Sequence, residues 1–415
     1  MKPDTSLPVT AEAHHRPRLA LLVNVISPAR VPLYRGLALH FDLLVLHGGT
    51  ESNRDSWCDL DQSLPEAKVR KAWGWQIRLA RRINGQTFDY RYAHITPGYL
   101  WQLLRFRPSV VISIEMGLRT LMALTYGSVF RKPVWVWWGG TLHTERGLGL
   151  TKRLLRRLLG RWVKHWISYG QTSTEYLFSL GIGADRILEI QNAVDERRFL
   201  DAPEPATLLP QRPVLLYAGQ FTRRKGVDLL LKAAAVLQRE GVPFSLLLTG
   251  SGPEKPAAER LADELGLVNV RFQPARPPRE MPSVYRSADV LIFPTLEDVW
   301  GLVANEAVLS GLPVLCSKYA GCARELFDPE SIFDPEDSHE FVAKLRKAVA
   351  GELPRPAPSR LRSTRELVSE LAGALEVSAA DAWPRSSRRC TIREGAPHRH
   401  PERPLSPARP CRERE

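Results

Sequence analysis

Ten predominantly apolar runs of strand length recur along this chain with helix-length stretches between them, and that alternation constrains the fold more than any single motif. The first half carries runs at 19–25, 43–46, 110–114, 134–138 and 166–169, and the second at 214–218, 244–248, 268–272, 290–293 and 313–316. Strands without polar alternation belong to a sheet covered on both faces, and helices between them supply the crossovers that parallel strands need. Each half therefore reads as one doubly wound α/β domain, the first over 18–199 and the second over 214–350. The segment 200–213 holds four prolines and breaks both periodicities, so it reads as the linker. Ligands of such sheets bind beyond the carboxyl ends of the strands, which places a ligand in a cleft where two domains face each other.

At 415 residues, with 44% hydrophobic and 25% charged residues, the chain has room for two cores and a globular composition. No apolar run approaches the roughly 18 residues that span a bilayer, and 1–17 has no apolar signal core, so a cytoplasmic protein with a flexible N-terminus is expected. Five cysteines without close pairing argue against a disulfide framework or a zinc site. The formal charge of +13 invites a nucleic-acid reading, but 384–415 holds nine arginines against four glutamates, and much of the rest clusters between Lys152 and Lys164. No aromatic-basic RNA-binding motif accompanies the charge, so nucleic acid is not expected as a partner. The segment 351–415 is atypical. A helix can form over 362–377, but beyond about 383 the chain is rich in Arg, Pro and Ser, should be disordered, and resembles out-of-frame translation of GC-rich DNA.

The residues that carry chemistry lie mostly in the second half. After the run at 214–218 come Gly219, Gln220, the cations Arg223, Arg224 and Lys225, and Gly226, where a helix begins. Backbone amides at a helix start, with Lys225 and an arginine, suit a diphosphate, although a solvated basic turn would look the same. Gly250 and Gly252 let backbone approach a ligand before Pro253 opens the next helix. Asp298 stands on a loop after 290–293, Gly301 makes the turn, and a helix starting near Leu302 carries Glu306 about one turn in. Taken alone, Asp298 reads equally as a helix cap and Glu306 as a solvated helix charge.

In order and spacing, Gly219, Lys225-Gly226, Gly250-Ser-Gly-Pro-Glu254, Ser287-Ala-Asp289, Phe293-Pro294, the Asp298/Glu306 pair and 305–314 resemble the retaining family 4 glycosyltransferases of GT-B fold. The resemblance is dense over 213–345 and looser over 18–200. It implies two Rossmann-like domains facing a central cleft, a nucleotide-diphosphate sugar as co-substrate, no cofactor and no metal. Lys225 and Arg223 or Arg224 would bind the diphosphate. Glu306 would accept from the ribose hydroxyls, Asp298 would face the transferred sugar, the amides of Gly301 and Leu302 would support phosphate or sugar, and Val270, Phe272 and Gln273 would border the base. Two departures matter: Asp298 stands where the family has Glu, with Glu297 beside it as a substitute, and Gln220 stands where the family has a phosphate-binding arginine.

The first half should then hold the acceptor, a glycan or lipid-linked glycan. His143, on the loop after 134–138, is placed to reach the cleft and exchange a proton or hydrogen bond with a sugar, unless it is a surface histidine. Arg30 follows the first strand, where relatives carry a glycine-rich loop, and would take over its phosphate contact; Glu115 is a further cleft candidate. The stretch 151–164 is a basic amphipathic helix, suited either to an anionic membrane surface on the inner face of the membrane or to packing its apolar face against the domain's own sheet. A nucleotide-sugar binder without turnover and another GT-B enzyme, such as a sugar-nucleotide epimerase, remain open.

Overall fold

The computed structural model describes residues 16–49, 63–83, 86–200 and 204–381. The expected disordered tail, most of the expected flexible N-terminus and part of the linker lie outside the described residues.

In chain order the first domain comprises β1 (Arg18–Val23), α1 (Val31–His40), β2 (Asp42–His47), β3 (Lys68–Lys71), β4 (Trp75–Ile83), β5 (Gln86–Ile95), α2 (Gly98–Phe106), β6 (Val110–Ile114), α3 (Leu118–Phe130), β7 (Val134–Trp138), α4 (Leu150–Trp162), β8 (His165–Ser168), α5 (Gln171–Ser179) and β9 (Ile187–Glu189). Seven of its strands form a parallel sheet in the order β3-β2-β1-β6-β7-β8-β9, with Leu21 opposite Val45 on one side and Ile112 on the other. Because successive side chains alternate across a strand, the continuous apolar runs feed two layers. Leu19, Leu21, Val45, Ile112 and Trp137 meet α1 on one face, while Leu22, Leu44 and Val111 meet α2 and α3 on the other.

After the short helix α6 (Arg197–Leu200), the second domain runs through β10 (Val214–Ala218), α7 (Val227–Arg239), β11 (Ser245–Thr249), α8 (Lys255–Glu264), β12 (Val270–Gln273), α9 (Met281–Arg286), β13 (Val290–Phe293), α10 (Leu302–Leu309), β14 (Val314–Ser317), α11 (Ala323–Leu326), β15 (Ile332–Phe333) and α12 (Ser338–Val349). Its six strands are parallel in the order β12-β11-β10-β13-β14-β15. In both sheets the order reverses beside the first strand, so the carboxyl ends of β1 and β6, and of β10 and β13, open the two switch-point crevices.

Residues 351–363 return to the first domain, where α13 (Thr364–Asp381) packs against α1 through Leu367, Leu371 and Leu375. The atypical C-terminal segment is thus ordered structure as far as residue 381, since its apolar spacing covers the outer face of the first sheet. The side chain of Gln191 ties the two crossings together: its amide donates to the Arg360 carbonyl at 2.9 Å and its oxygen accepts from the Arg362 amide at 2.9 Å.

β4 and β5 pair antiparallel into a ribbon separate from the main sheet, with an irregularity between Arg81 and Arg82. The expectation of purely parallel α/β halves did not include this ribbon. Its signal is an alternation of Trp75, Ile77 and Leu79 with Gln76 and Arg78, the period of a strand with one polar side.

Candidate active site

The second switch point gathers most of the expected donor residues. β10 ends at Gly219, a 3-10 turn over Arg223–Lys225 follows, and Gly226 caps α7 in the left-handed conformation at φ 65°. A Cβ on Gly226 would collide with the Pro294 carbonyl oxygen, so the close approach of this turn to the end of β13 requires glycine. Across the crevice, Lys225 Nζ donates to Asp298 Oδ2, both side chains only 13% exposed. Asp298 also accepts from the Trp300 amide at 3.3 Å. Burial works to raise the Asp298 carboxyl, but Lys225, Arg224 and that amide outweigh it and hold it below the usual carboxylate range. Arg224 donates to the Glu297 carbonyl at 2.7 Å, while Arg223 points to solvent.

Gly301, at φ 102°, caps α10, whose first amides at Leu302 and Val303 have no partner in their own helix. Glu306, one turn later, accepts from the Tyr285 hydroxyl at 2.7 Å. Burial raises its carboxyl to about 7, with Tyr285 and Arg198 opposing. Gly250 and Gly252, at φ 151° each, sit where any Cβ would meet the backbone of Gly219 and Phe221.

Several residues stand elsewhere than expected. Glu297 turns away from Asp298: its carboxylate faces the first domain, where Arg81 of the ribbon donates to it at 2.6 and 2.8 Å and Arg146 stands at 3.8 Å. Neighbouring residues of an extended loop point to opposite sides, so one acid serves the crevice and the other the domain contact. Val270 and Phe272 pack against the core beside α7 and α8, and the buried Gln273 donates to Thr207 Oγ1 at 2.7 Å, so their side chains are committed to packing and to the linker. Arg30 is buried with its guanidinium 4.1 Å from the Trp137 ring centroid and 4.8 Å from that of Tyr169. Its guanidinium is thus held against two aromatic rings of the first domain. Glu115 joins Asn24 and Arg119 at the first switch point.

His143 does bridge the cleft. Its Nε2 lies 2.8 Å from the Leu296 carbonyl, and its ring stacks on Tyr319 at 4.1 Å between centroids. Burial, aided by Arg146, pushes the imidazole below its ordinary value against the opposing pull of that carbonyl contact. The neutral ring must therefore donate from Nε2 to Leu296, which leaves Nδ1 as the acceptor. Leu296-Glu297-Asp298 is thus gripped from the first domain by His143 and Arg81 and from its own domain by Lys225.

Arg81 and Trp300 were not expected at the site. Trp300 donates from Nε1 to Asn305 Oδ1 at 2.8 Å, and Asn305 donates to the Asn192 carbonyl at 2.9 Å, fixing α10 to the crossing segment. Glu325 accepts from the Gln171 amide at 2.7 Å across the domains, its carboxyl raised by burial to about 7. The sequence signal for Arg81 was confined to the period-two pattern of β4; for Trp300 and Asn305 there was only their place between the two acids.

Residues 202–365 match the family described as Glycosyl transferases group 1. Among curated relatives, the D-inositol 3-phosphate glycosyltransferase of Corynebacterium urealyticum is 32% identical over 40% of this chain and 44% of its own length. The 2-deoxystreptamine glucosyltransferase of Streptomyces kanamyceticus is 30% identical over 48% of this chain and 54% of its own. The chain thus spans about half the length of these relatives. Among solved structures, Alr3699/HepE from Anabaena in complex with UDP-glucose superposes with a TM-score of 0.61 at 15% identity, covering 88% of this chain and 98% of that one. WaaG, a glycosyltransferase involved in lipopolysaccharide biosynthesis, gives 0.55 at 17% identity over 88% and 99%. The fold is therefore GT-B, with the first domain facing the second across the cleft.

Proposed function

We propose that the chain is a retaining, metal-independent glycosyltransferase that moves a sugar from a nucleotide-diphosphate sugar to a hydroxyl of a glycan or lipid-linked glycan. The observation that carries this reading is the Lys225–Asp298 pair at the second switch point, with Arg224 beside it and the start of α10 above it. Departure of the nucleoside diphosphate is the demanding step, because negative charge gathers on the phosphate as the anomeric carbon becomes cation-like. An ammonium has three donors, so Lys225 can serve a phosphate oxygen alongside Asp298. Preorganised cations and helix amides in a closed cleft then lower the barrier without the reorganisation that water requires. Asp298, held ionised, is suited to accept from the sugar's hydroxyls. The acceptor's proton passes to the departing phosphate oxygen as the new glycosidic bond forms on the same face.

The UDP-glucose bound by the Anabaena neighbour makes a uridine diphosphate sugar the first donor to try. The test is release of nucleoside diphosphate, followed by proton NMR of the product. Retained anomeric configuration is expected; an inverted product, or donor binding without any release on prolonged incubation, would refute the reading.

In this reading Glu306 binds the donor's ribose. A carboxyl raised to about 7 is mostly protonated at acid pH and ionised above neutrality, and only the carboxylate accepts two hydroxyl donors. Donor Kd should therefore fall as pH rises from about 6 to about 8. Glu306→Gln should flatten that dependence and weaken binding at the upper end by roughly tenfold, the loss of a charge-assisted hydrogen bond. Calorimetric titration at both pH values checks it; an unchanged profile in Glu306→Gln removes the ribose role.

A further inference from the structure

α4 lies on the face of the first sheet that also carries α2, α3 and α5, and it presents the wrong side to that sheet for an ordinary crossover helix. Leu159, Arg156 and Gly160 alone of its residues are buried. Leu150 is 83% exposed, Leu154 70% and Trp162 59%, and Leu155 and Leu158 are exposed as well. At about 100° per residue, Leu154, Leu158, Trp162 and Leu155 fill one outward sector, and Arg153, Arg157 and Arg161 fill the sector beside it. The reason for the inversion is Arg156. Its guanidinium stacks 4.6 Å from the Trp138 ring centroid, bonds the Tyr176 hydroxyl at 2.7 Å and pairs with Glu145, so the inward face is occupied by a cation and its partners.

We propose that this outward surface docks the first domain on an anionic lipid bilayer. The helix has five cations and no acid, so a second copy of the chain would set like charges against each other. A bilayer instead offers negative headgroups at the level of the arginines and an apolar layer at the depth of the leucines and tryptophan. Val129 and Phe130 at the end of α3, exposed on the same side of the sheet and followed by Arg131, repeat the pairing. The docked helix also reaches the cleft: its buried Arg156 grips Glu145, two residues beyond His143 on the same loop. A lipid-anchored acceptor would thus be met by a surface tied to the acceptor side of the site.

The test is cosedimentation of the full chain with vesicles of phosphatidylcholine alone and of phosphatidylcholine mixed with phosphatidylglycerol. Quenching of tryptophan fluorescence by brominated acyl chains in the mixed vesicles, compared with that of a Trp162→Phe variant, measures the depth of Trp162 among the chain's eleven tryptophans. Binding to the mixed vesicles and quenching are expected. Leu154→Gln with Leu158→Gln, and separately Arg157→Glu with Arg161→Glu, should each lower partition by at least about tenfold. These side chains are exposed, so melting temperatures should not change, and the readout requires no sugar transfer. Absence of binding, equal binding to both vesicle types, binding that neither pair of substitutions alters, or self-association relieved by the leucine substitutions would overturn the proposal.

Discussion

Lys225→Ala is expected to lower kcat/KM by about 10²- to 10³-fold, the scale of losing one preorganised donor at a developing anion. It should also destabilise the protein, because Asp298 then stays buried and loses its paired cation, at a cost on the order of 3 kcal/mol. The two effects separate in a second variant. With Lys225→Met and Asp298→Asn together, no unpaired charge remains, so the melting temperature should recover while turnover stays low. Steady-state kinetics and thermal melting on both variants check the account. If activity returned with stability, Lys225 would serve only to neutralise Asp298.

Glu297→Ala should be the most disruptive change at the domain contact. The side chain is 7% exposed and faces Arg81 and Arg146, so its loss leaves two first-domain cations beside each other without the carboxylate that joins them to the second domain. A cost of about 3–5 kcal/mol follows from breaking a buried pair by removing one partner. Because Arg81 belongs to the first domain's ribbon, part of that loss should appear as opening rather than unfolding. The expected results are a larger radius of gyration in small-angle scattering and a raised donor KM. Arg81→Ala should give the milder form of both, since Glu297 keeps Arg146. An unchanged radius of gyration in Glu297→Ala would mean that the contact does not hold the cleft closed.

How far these features were legible in the sequence depended on whether their cause is local. The central strands of both sheets were plain because burial on both faces leaves an unbroken apolar run, as at Val214–Ala218 and Val134–Trp138. The Lys225 turn and the Asp298–Glu306 segment were also readable, since glycines and charges at strand-to-helix turns reflect local geometry. The partners of these residues were not. Nothing in the spacing of Glu297 and Asp298 tells which faces the crevice, because that is decided by Arg81, more than two hundred residues away in sequence. The same holds for α4. Its periodicity defines an apolar face but not what the face meets, and the answer rests on Arg156 being claimed by Glu145, Trp138 and Tyr176. The ribbon was missed for a simpler reason: a reading tuned to continuous apolar strands passes over an alternating one.

Thermal shift with a panel of nucleoside diphosphates tests most directly whether the second switch point is a diphosphate site. A ligand that binds only the folded state raises its stability by RT ln(1 + [L]/Kd), about 2.7 kcal/mol at one hundred times Kd. At least one nucleoside diphosphate should raise the melting temperature of the unaltered chain, its monophosphate should raise it less, and both shifts should shrink in the Lys225→Met, Asp298→Asn variant. No shift with any nucleoside diphosphate, or an equal shift in that variant, would contradict it.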